Sequence, residues 1–565
     1  MEFADKDLQS IQEVRSLICK AKLAQKELAK FNQESIDKIV KAMAEAALEK
    51  AEQLAKMAEE ETGFGRWKDK VIKNTFASKF VYDYIKDMKT IGILNEDKEK
   101  RITDVAVPVG VIAGLIPSTN PTSTVIYKAL ISIKAGNSIV FSPHPNAKKC
   151  ILETVKIISE AARLAGAPEG CIQCMTIPTL EGTDELMKHE HVSLILATGG
   201  SAMVKAAYSS GTPAIGVGPG NGPAFIEKSA DIKLAVKRIL DSKTFDNGTI
   251  CASEQSIVIE ECIKNKVIEE LKEQGAYFLT EEEAKKLEKF IMKPNGAMNP
   301  KIVGKSVQTI ANLVHINVPE NTRVLIAKET RVGHEYPYSR EKLAPILAFY
   351  CEPSWEKACE KCIEILNNEG KGHTLVIHSN NENIIEEFAL KKPVSRLLVN
   401  TPGALGGIGA TTNLVPALTL GCGAVGGSST SDNIGPMNLL NIRKKVYGVR
   451  ELDDFKNKKN MVDINLSTAD MRFNNCDLKV ENIDTRFLEE NLCAKNKDER
   501  FKKYDERFTE ESSLDTRFNE DKNNLIKGEE INKSIKESIK DENKKEVTEE
   551  QIEQLIKDVL ASLNS

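Results

Sequence analysis

Over the first 450 residues, short apolar runs alternate with stretches of helical periodicity, and this alternation restricts the chain to a narrow set of folds. Ile139–Phe141 reads as a short strand. After the turn Ser142-Pro-His-Pro145, apolar residues recur at helical spacing from about Asn146 to Leu164, where Gly166 and Pro168 stop them. Val192–Ala197 reads as a second strand, followed by Thr198, Gly199, Gly200 and Ser201 and a short helix. Pro223–Glu227, a helix over Asp231–Leu240 and a strand over Ser256–Glu260 continue the series. Strands joined through helices must run parallel, and a parallel sheet buries both faces. The pattern therefore predicts an α/β fold with helices on both sides of the sheet. The first ninety residues, rich in Ala, Lys and Glu, read as mostly helical.

The alternation ends near residue 450. Of the 115 residues from 451 to 565, fifty are charged, 29 acidic and 21 basic. They include no proline and one glycine, Gly528, whereas the first 450 residues hold the other 33 glycines and all 20 prolines. Such a segment cannot bury enough apolar surface to offset its ordering entropy, so 451–546 is expected to be a disordered charged linker. It carries a D-x-R-F pattern at Asp484–Phe487, Asp498–Phe501, Asp505–Phe508 and Asp515–Phe518, at spacings of 14, 7 and 10. The irregular spacing argues against a solenoid. It leaves duplication in a tolerant linker, or a set of short sticky motifs. The end of the chain differs again. Ile552, Leu555, Ile556, Val559, Leu560 and Leu563 share one helical face, and Thr548 with Gln551 reads as a capping box. A short helix is marginal alone, so 547–565 needs a groove, either on a partner or on its own body.

Net charge is −5, which argues against a nucleic-acid partner. No apolar leader follows Met1–Ala4. The long uncharged stretches Val105–Tyr127 and Leu397–Ser431 are broken by proline and glycine, so no membrane span is expected. With no leader, the twelve cysteines are expected as reduced thiols. The pairs Cys171–Cys174 and Cys359–Cys362 lie too far apart for a compact zinc site and read as core or helix-face residues. His189-Glu-His191 lacks the i, i+4 spacing of a helical metal pair, and no metal is expected. Gly421-x-Gly423-x-x-Gly426 lacks the strand before and the helix after that a dinucleotide fingerprint needs. No phosphate-binding P-loop and no nucleophile elbow is present. Cys251 stands apart, in the small-residue turn Asn247-Gly-Thr-Ile-Cys251-Ala-Ser ahead of a strand. There a thiol is accessible and backbone N–H groups can stabilise an oxyanion.

That turn, the segment Val107-Pro-Val-Gly-Val-Ile-Ala-Gly-Leu-Ile-Pro-Ser-Thr-Asn-Pro121 and Glu341-Lys-Leu-Ala-Pro345, in this order, resemble the aldehyde dehydrogenase superfamily. The likeness covers roughly residues 20–450. It points to the CoA-acylating branch, the acetaldehyde/propionaldehyde dehydrogenases of the bacterial microcompartment type. The resemblance implies a Rossmann-type dinucleotide-binding domain over 1–226, a catalytic domain over 227–430 and a small oligomerisation element. That element would combine a hairpin near 91–109, a return segment over 431–450 and strand-forming residues near Val446–Val449. A homodimer or tetramer is expected.

The resemblance makes Cys251 the nucleophile that forms a thiohemiacetal with the aldehyde, then a thioester after hydride transfer. Asn120 matches the oxyanion-hole asparagine, its amide acting with the backbone N–H of Cys251, though alone it also reads as a turn residue before Pro121. Glu341 matches the glutamate on the nicotinamide-side ribose. Thr198, Gly199, Gly200 and Ser201 match the turn beside the pyrophosphate. Ser142 stands where many relatives carry a lysine toward the adenosine ribose, which leaves NAD against NADP open. His144 faces the adenine or caps the following helix. Hydrolytic relatives hold a glutamate where this chain has Val217, so a thiol, coenzyme A, rather than water is expected to resolve the thioester. The alternatives are a hydrolytic enzyme giving free acid and a scaffold working through the tail. No metal-dependent alcohol dehydrogenase domain is expected in that tail. The segment 547–565 is similar to encapsulation peptides. That implies a cytoplasmic enzyme carried to the lumen of a microcompartment by contact with shell or cargo proteins.

Overall fold

The computed structural model describes residues 5–453. The four D-x-R-F copies, all but the first three residues of the expected linker, and the expected helix over 547–565 lie outside the described residues. Five α-helices and one π-helical turn open the chain. They run Lys6–Leu28, Gln33–Glu49, Ala51–Thr62, Trp67–Thr75, Phe76–Phe80 and Val81–Ile85, as the Ala, Lys and Glu content predicts. Asp5 and Asn32 cap the first two by accepting backbone N–H bonds, which satisfies amides that a helix start leaves open.

Two parallel sheets follow, each clad on both faces. The first has the strand order Ile172–Cys174, Ser138–Pro143, Val111–Ile116, Val192–Ala197, Ala214–Gly216, all parallel. Its residues alternate between two cores. Ile112, Ile116, Ile139 and Phe141 join the helices Gln33–Glu49, Pro121–Lys134 and Lys148–Leu164, and Val111, Ala113, Leu115 and Val140 join Lys6–Leu28. The second sheet has seven parallel strands, in the order Ala276–Phe278, Val324–Lys328, Ile346–Glu352, Ser256–Glu260, Pro223–Ile226, Gly372–His378, Val394–Val399. Again the faces alternate: Phe225 and Val258 enter one core, Ala224, Ile226, Ile257 and Ile259 the other. Phe225 stacks on Phe388 at 5.0 Å between ring centroids. Period-two burial on both faces is what a doubly covered parallel sheet requires. The chain leaves the first sheet at Gly216 and enters the second at Pro223.

A third sheet is antiparallel. The hairpin Gly92–Asp97/Ile102–Pro108 receives Leu440–Val446 along its second strand, with Leu440 opposite Pro108 and Val446 opposite Ile102. The return strand thus ends at Val446, where the sequence places its beginning. Leu440 is buried and the next six residues are exposed, so burial leaves no alternation to mark the strand. Among the described residues no helix is long and apolar enough to cross a membrane. Cys171, Cys174, Cys359 and Cys362 lie in the cores, as expected of structural thiols.

Candidate active site

In the five-stranded sheet the chain starts in the centre at Val111–Ile116 and moves outward through Ser138–Pro143 and Ile172–Cys174. It then returns to the other side at Val192–Ala197. The switch point lies between Val111–Ile116 and Val192–Ala197. The carboxyl ends of strands flanking such a point form a crevice, and open α/β sheets bind ligands there. Lys128, fully buried, donates to the carbonyls of Leu115 (2.8 Å) and Leu196 (2.7 Å), one on each side of the switch. Burial holds its amine well below its ordinary pKa.

Three of the residues assigned from sequence to the cofactor lie at carboxyl ends of strands in this sheet. Ser142 is buried at the end of its strand and shares a hydrogen bond of 2.8 Å with Thr183. His144 accepts the Asn146 N–H at 3.1 Å and caps the short turn Pro145–Ala147, so capping is the role its ring has here. Thr198 follows Ala197, its hydroxyl 3.4 Å from that of Thr419. Gly199 and Gly200 lead into the helix Ser201–Ser209, whose first turn has no side-chain cap. A side chain at Gly200 would meet nothing within 4 Å. An uncapped helix start behind an open glycine suits an anion such as a pyrophosphate. These residues fit a dinucleotide.

The thiol comes from the second sheet. After the helix Ile232–Thr244 the backbone turns left-handed at three successive residues, Asp246 (φ 49°), Asn247 (φ 54°) and Gly248 (φ 77°). For a non-glycine residue that conformation costs about 1–2 kcal/mol, and side chains hold it in place. The fully buried Asp246 carboxylate accepts from Lys73 (2.5 Å), Lys70 (2.9 Å), Thr249 Oγ1 (2.8 Å) and the backbone N–H of Arg66 (2.6 Å). Asn247 donates to the Gly304 carbonyl at 2.9 Å. The turn delivers Cys251, half-buried, five residues before the strand Ser256–Glu260.

Asn120 bonds to the Cys251 turn at Thr249, and Glu341 bonds to Gly220, which lies against Cys251. Asn120, at the start of the helix Pro121–Lys134, makes no capping bond with its side chain. Its amide nitrogen donates to the Thr249 carbonyl at 3.2 Å and its oxygen accepts from Lys73 at 2.5 Å. Glu341 accepts the Gly220 N–H at 2.8 Å. Gly220 in turn lies against Cys251: a β-carbon there would sit 1.9 Å from the Cys251 carbonyl oxygen. Burial, reinforced by Glu369, pushes the Glu341 carboxyl up to about 8. Burial, reinforced by Glu341, pushes the Cys251 thiol up to about 12, with Arg396 opposing. Burial thus favours the neutral form of both groups. Val217, where a water-activating glutamate would stand, is buried at 5% exposure.

Several site residues escape a sequence reading. Lys70 and Lys73 sit in a charged helix that looks solvated, yet both are buried. Gly220 appears as one glycine in a glycine-rich loop. Nothing local in the sequence connects these residues to Asp246 or Cys251.

Residues 3–340 match the model of the aldehyde dehydrogenase family. The chain belongs to the aldehyde dehydrogenase family. The chain is 47% identical over 437 residues to the bifunctional aldehyde-alcohol dehydrogenase of Escherichia coli (strain K12), a match covering 76% of this chain and 49% of that one. It therefore spans about half the length of that curated relative. An acetylating aldehyde dehydrogenase from Geobacillus thermoglucosidasius is 56% identical with a TM-score of 0.78, covering 80% of this chain and 99% of that one. A propionaldehyde dehydrogenase from the fucose utilisation microcompartment of Clostridium phytofermentans is 31% identical with a TM-score of 0.70, covering 77% and 97%.

Proposed function

We propose that this chain is a CoA-acylating, NAD-dependent aldehyde dehydrogenase that converts a short aliphatic aldehyde, acetaldehyde or propionaldehyde, to its acyl-CoA. The observation that carries the reading is the bond from Asn120 to Thr249 in the braced turn that leads to Cys251, with the apolar Val217 buried where the resemblance would put the carboxylate of a hydrolytic enzyme. The likeness to the Geobacillus acetylating enzyme supports it.

Cys251 Sγ loses its proton and attacks the aldehyde carbon, giving a thiohemiacetal whose oxygen carries the developing charge. Asn120 Nδ2, with the backbone N–H of Cys251, donates to that oxygen. A bound nicotinamide dinucleotide supplies the hydride acceptor. Thr198, Gly199, Gly200 and Ser201 would hold its pyrophosphate, Glu341 its nicotinamide-side ribose, and Ser142, with the turn that His144 caps, would flank its adenosine. As the oxygen charge collapses to a carbonyl, the C–H bond breaks and its hydride passes to that acceptor, leaving an acyl thioester on Cys251. The coenzyme A sulfur then bonds to the acyl carbon and the Cys251 sulfur leaves. Water is a poorer nucleophile than a thiol and finds no general base at Val217.

The experiment follows NADH absorbance with purified protein, propionaldehyde and NAD⁺, with and without coenzyme A, for the parent and for Cys251→Ala. Sustained NADH formation only with coenzyme A, and none from the variant, is the expected result. An equal rate without coenzyme A would transfer the reading to a hydrolytic enzyme, and a working Cys251→Ala would remove the nucleophile. NADP⁺ in parallel assays decides the nucleotide.

The domain boundaries at 226 and 430, a homodimer or tetramer built through the antiparallel sheet, and carriage into a microcompartment by residues 547–565 belong to the same reading. A microcompartment origin of the Clostridium relative and the apolar face of Ile552, Leu555, Ile556, Val559, Leu560 and Leu563 support the last. Deleting 547–565 is expected to leave catalysis intact and to abolish co-sedimentation with shell proteins. Unchanged co-sedimentation would refute the targeting role.

A further inference from the structure

Lys73 is buried on the helix Trp67–Thr75, and its ammonium has three hydrogens for three acceptors: Asp246 Oδ2 (2.5 Å), Thr249 Oγ1 (2.9 Å) and Asn120 Oδ1 (2.5 Å). Charge balance does not explain it. Lys70 already pairs with Asp246 at 2.9 Å and also donates to the Thr119 carbonyl. Asp69 is held by Arg66 at 2.6 Å, so a second buried cation is surplus to Asp246, and burial draws its pKa down to about 8, against the pull of Asp246 and Asp69. Among the described residues, its only acceptor outside the Asp246–Thr249 turn is the Asn120 side chain.

We propose that Lys73 is a positioning residue for the aldehyde chemistry, locking and polarising the Asn120 amide so that it presents N–H, and not its carbonyl oxygen, to the thiohemiacetal oxygen. The inference rests on the reading of Cys251 and Asn120 given above. A primary amide has a donor and an acceptor end of nearly equal size, so packing alone does not choose between them. The ammonium bonds only to the acceptor end. With Oδ1 held by Lys73, Nδ2 faces the Cys251 turn, one hydrogen going to the Thr249 carbonyl. The other has the Thr119 hydroxyl at 3.3 Å, a long contact that a charged oxygen would displace. Turned over, the amide would place a carbonyl oxygen beside the developing negative charge. Hydrogen bonding of the amide oxygen to a cation also makes its N–H a stronger donor, because bonds in a chain polarise one another.

The test is a double-mutant cycle on single-turnover NADH formation, with the parent, Asn120→Ala, Lys73→Met and the double variant, each checked for folding by thermal melting. Asn120→Ala is expected to slow the turnover by about 10²–10³. Lys73→Met in the parent is expected to slow it by about 10–100-fold, the range for losing a hydrogen bond to a charged group. KM for aldehyde and for NAD⁺ should stay unchanged. In the Asn120→Ala background Lys73→Met should cost nothing further. Lys73→Gln, which keeps a neutral N–H donor toward Asn120, should recover part of the rate, and it replaces methionine in the cycle if Lys73→Met fails to fold. Equal factors in both backgrounds would overturn the proposal while leaving the Asn120 assignment intact. A full rate in Asn120→Ala would remove the oxyanion assignment and this proposal together.

Discussion

Gly220→Ala is expected to cost at least about 10² in single-turnover NADH formation while the protein remains folded. The added carbon would lie 1.9 Å from the carbonyl oxygen of Cys251 and 2.7 Å from its carbonyl carbon. Both are backbone atoms, so no side chain can swing aside. Either the Cys251 turn retreats or the Gly220 segment does, and the second also pulls on the N–H bond to Glu341. A displacement of about 1 Å at the reacting atom is enough for a hundredfold loss, whereas overpacking of this kind costs stability only about 1–3 kcal/mol. Gly220 has no left-handed φ, so alanine suits its backbone and the effect is steric. Parent-like turnover in a folded Gly220→Ala would show that the contact is loose.

The second large effect concerns stability. Asp246→Ala removes the carboxylate that faces Lys70 and Lys73, both buried. Leaving buried charge uncompensated costs about 3–5 kcal/mol, and the left-handed backbone at Asp246 would lose the bonds that hold it. Urea unfolding of parent and variant measures the difference, and a loss below about 1 kcal/mol would contradict the account. The pH dependence has a definite sign. Burial acts to raise the Asp246 pKa, but Lys73 and Lys70 outweigh it and hold the carboxyl below its ordinary value. The stability it contributes is present at neutral pH. It fades only in acid, as pH falls below about 3.9, the ordinary aspartate value, and through the lower folded one.

The parallel sheets were legible because each strand is buried on both faces and therefore apolar throughout. Val192–Ala197 and Ser256–Glu260 have the bounds that their composition suggests. The helix ahead of the second begins one residue later than its composition suggests and runs four further, Ile232–Thr244, with Asp231 as its cap. The strand Leu440–Val446 was legible only at its end: its partner is more than three hundred residues away, and its exposed residues include Arg443, Lys444 and Lys445. Cys251 stood out through its small-residue turn. The ion cluster behind it did not, because a lysine buried for a purpose and one in solvent look alike in a string of letters. Their difference lies in Asp246, which meets them only when the turn after Thr244 folds against the helix Trp67–Thr75.

The antiparallel sheet also sets an order of events during synthesis. Ile102–Pro108 leaves the ribosome with its hairpin partner Gly92–Asp97, but its other edge is completed by Leu440–Val446. At ordinary translation rates, about 5–20 residues per second, the interval is roughly 15–70 s. Throughout it that strand offers unpaired N–H and C=O groups to any passing edge, including the same strand of a neighbouring nascent chain on one message. The closing segment, with its three consecutive cations, is thus the last stitch in a seam that stays open while more than three hundred residues are added.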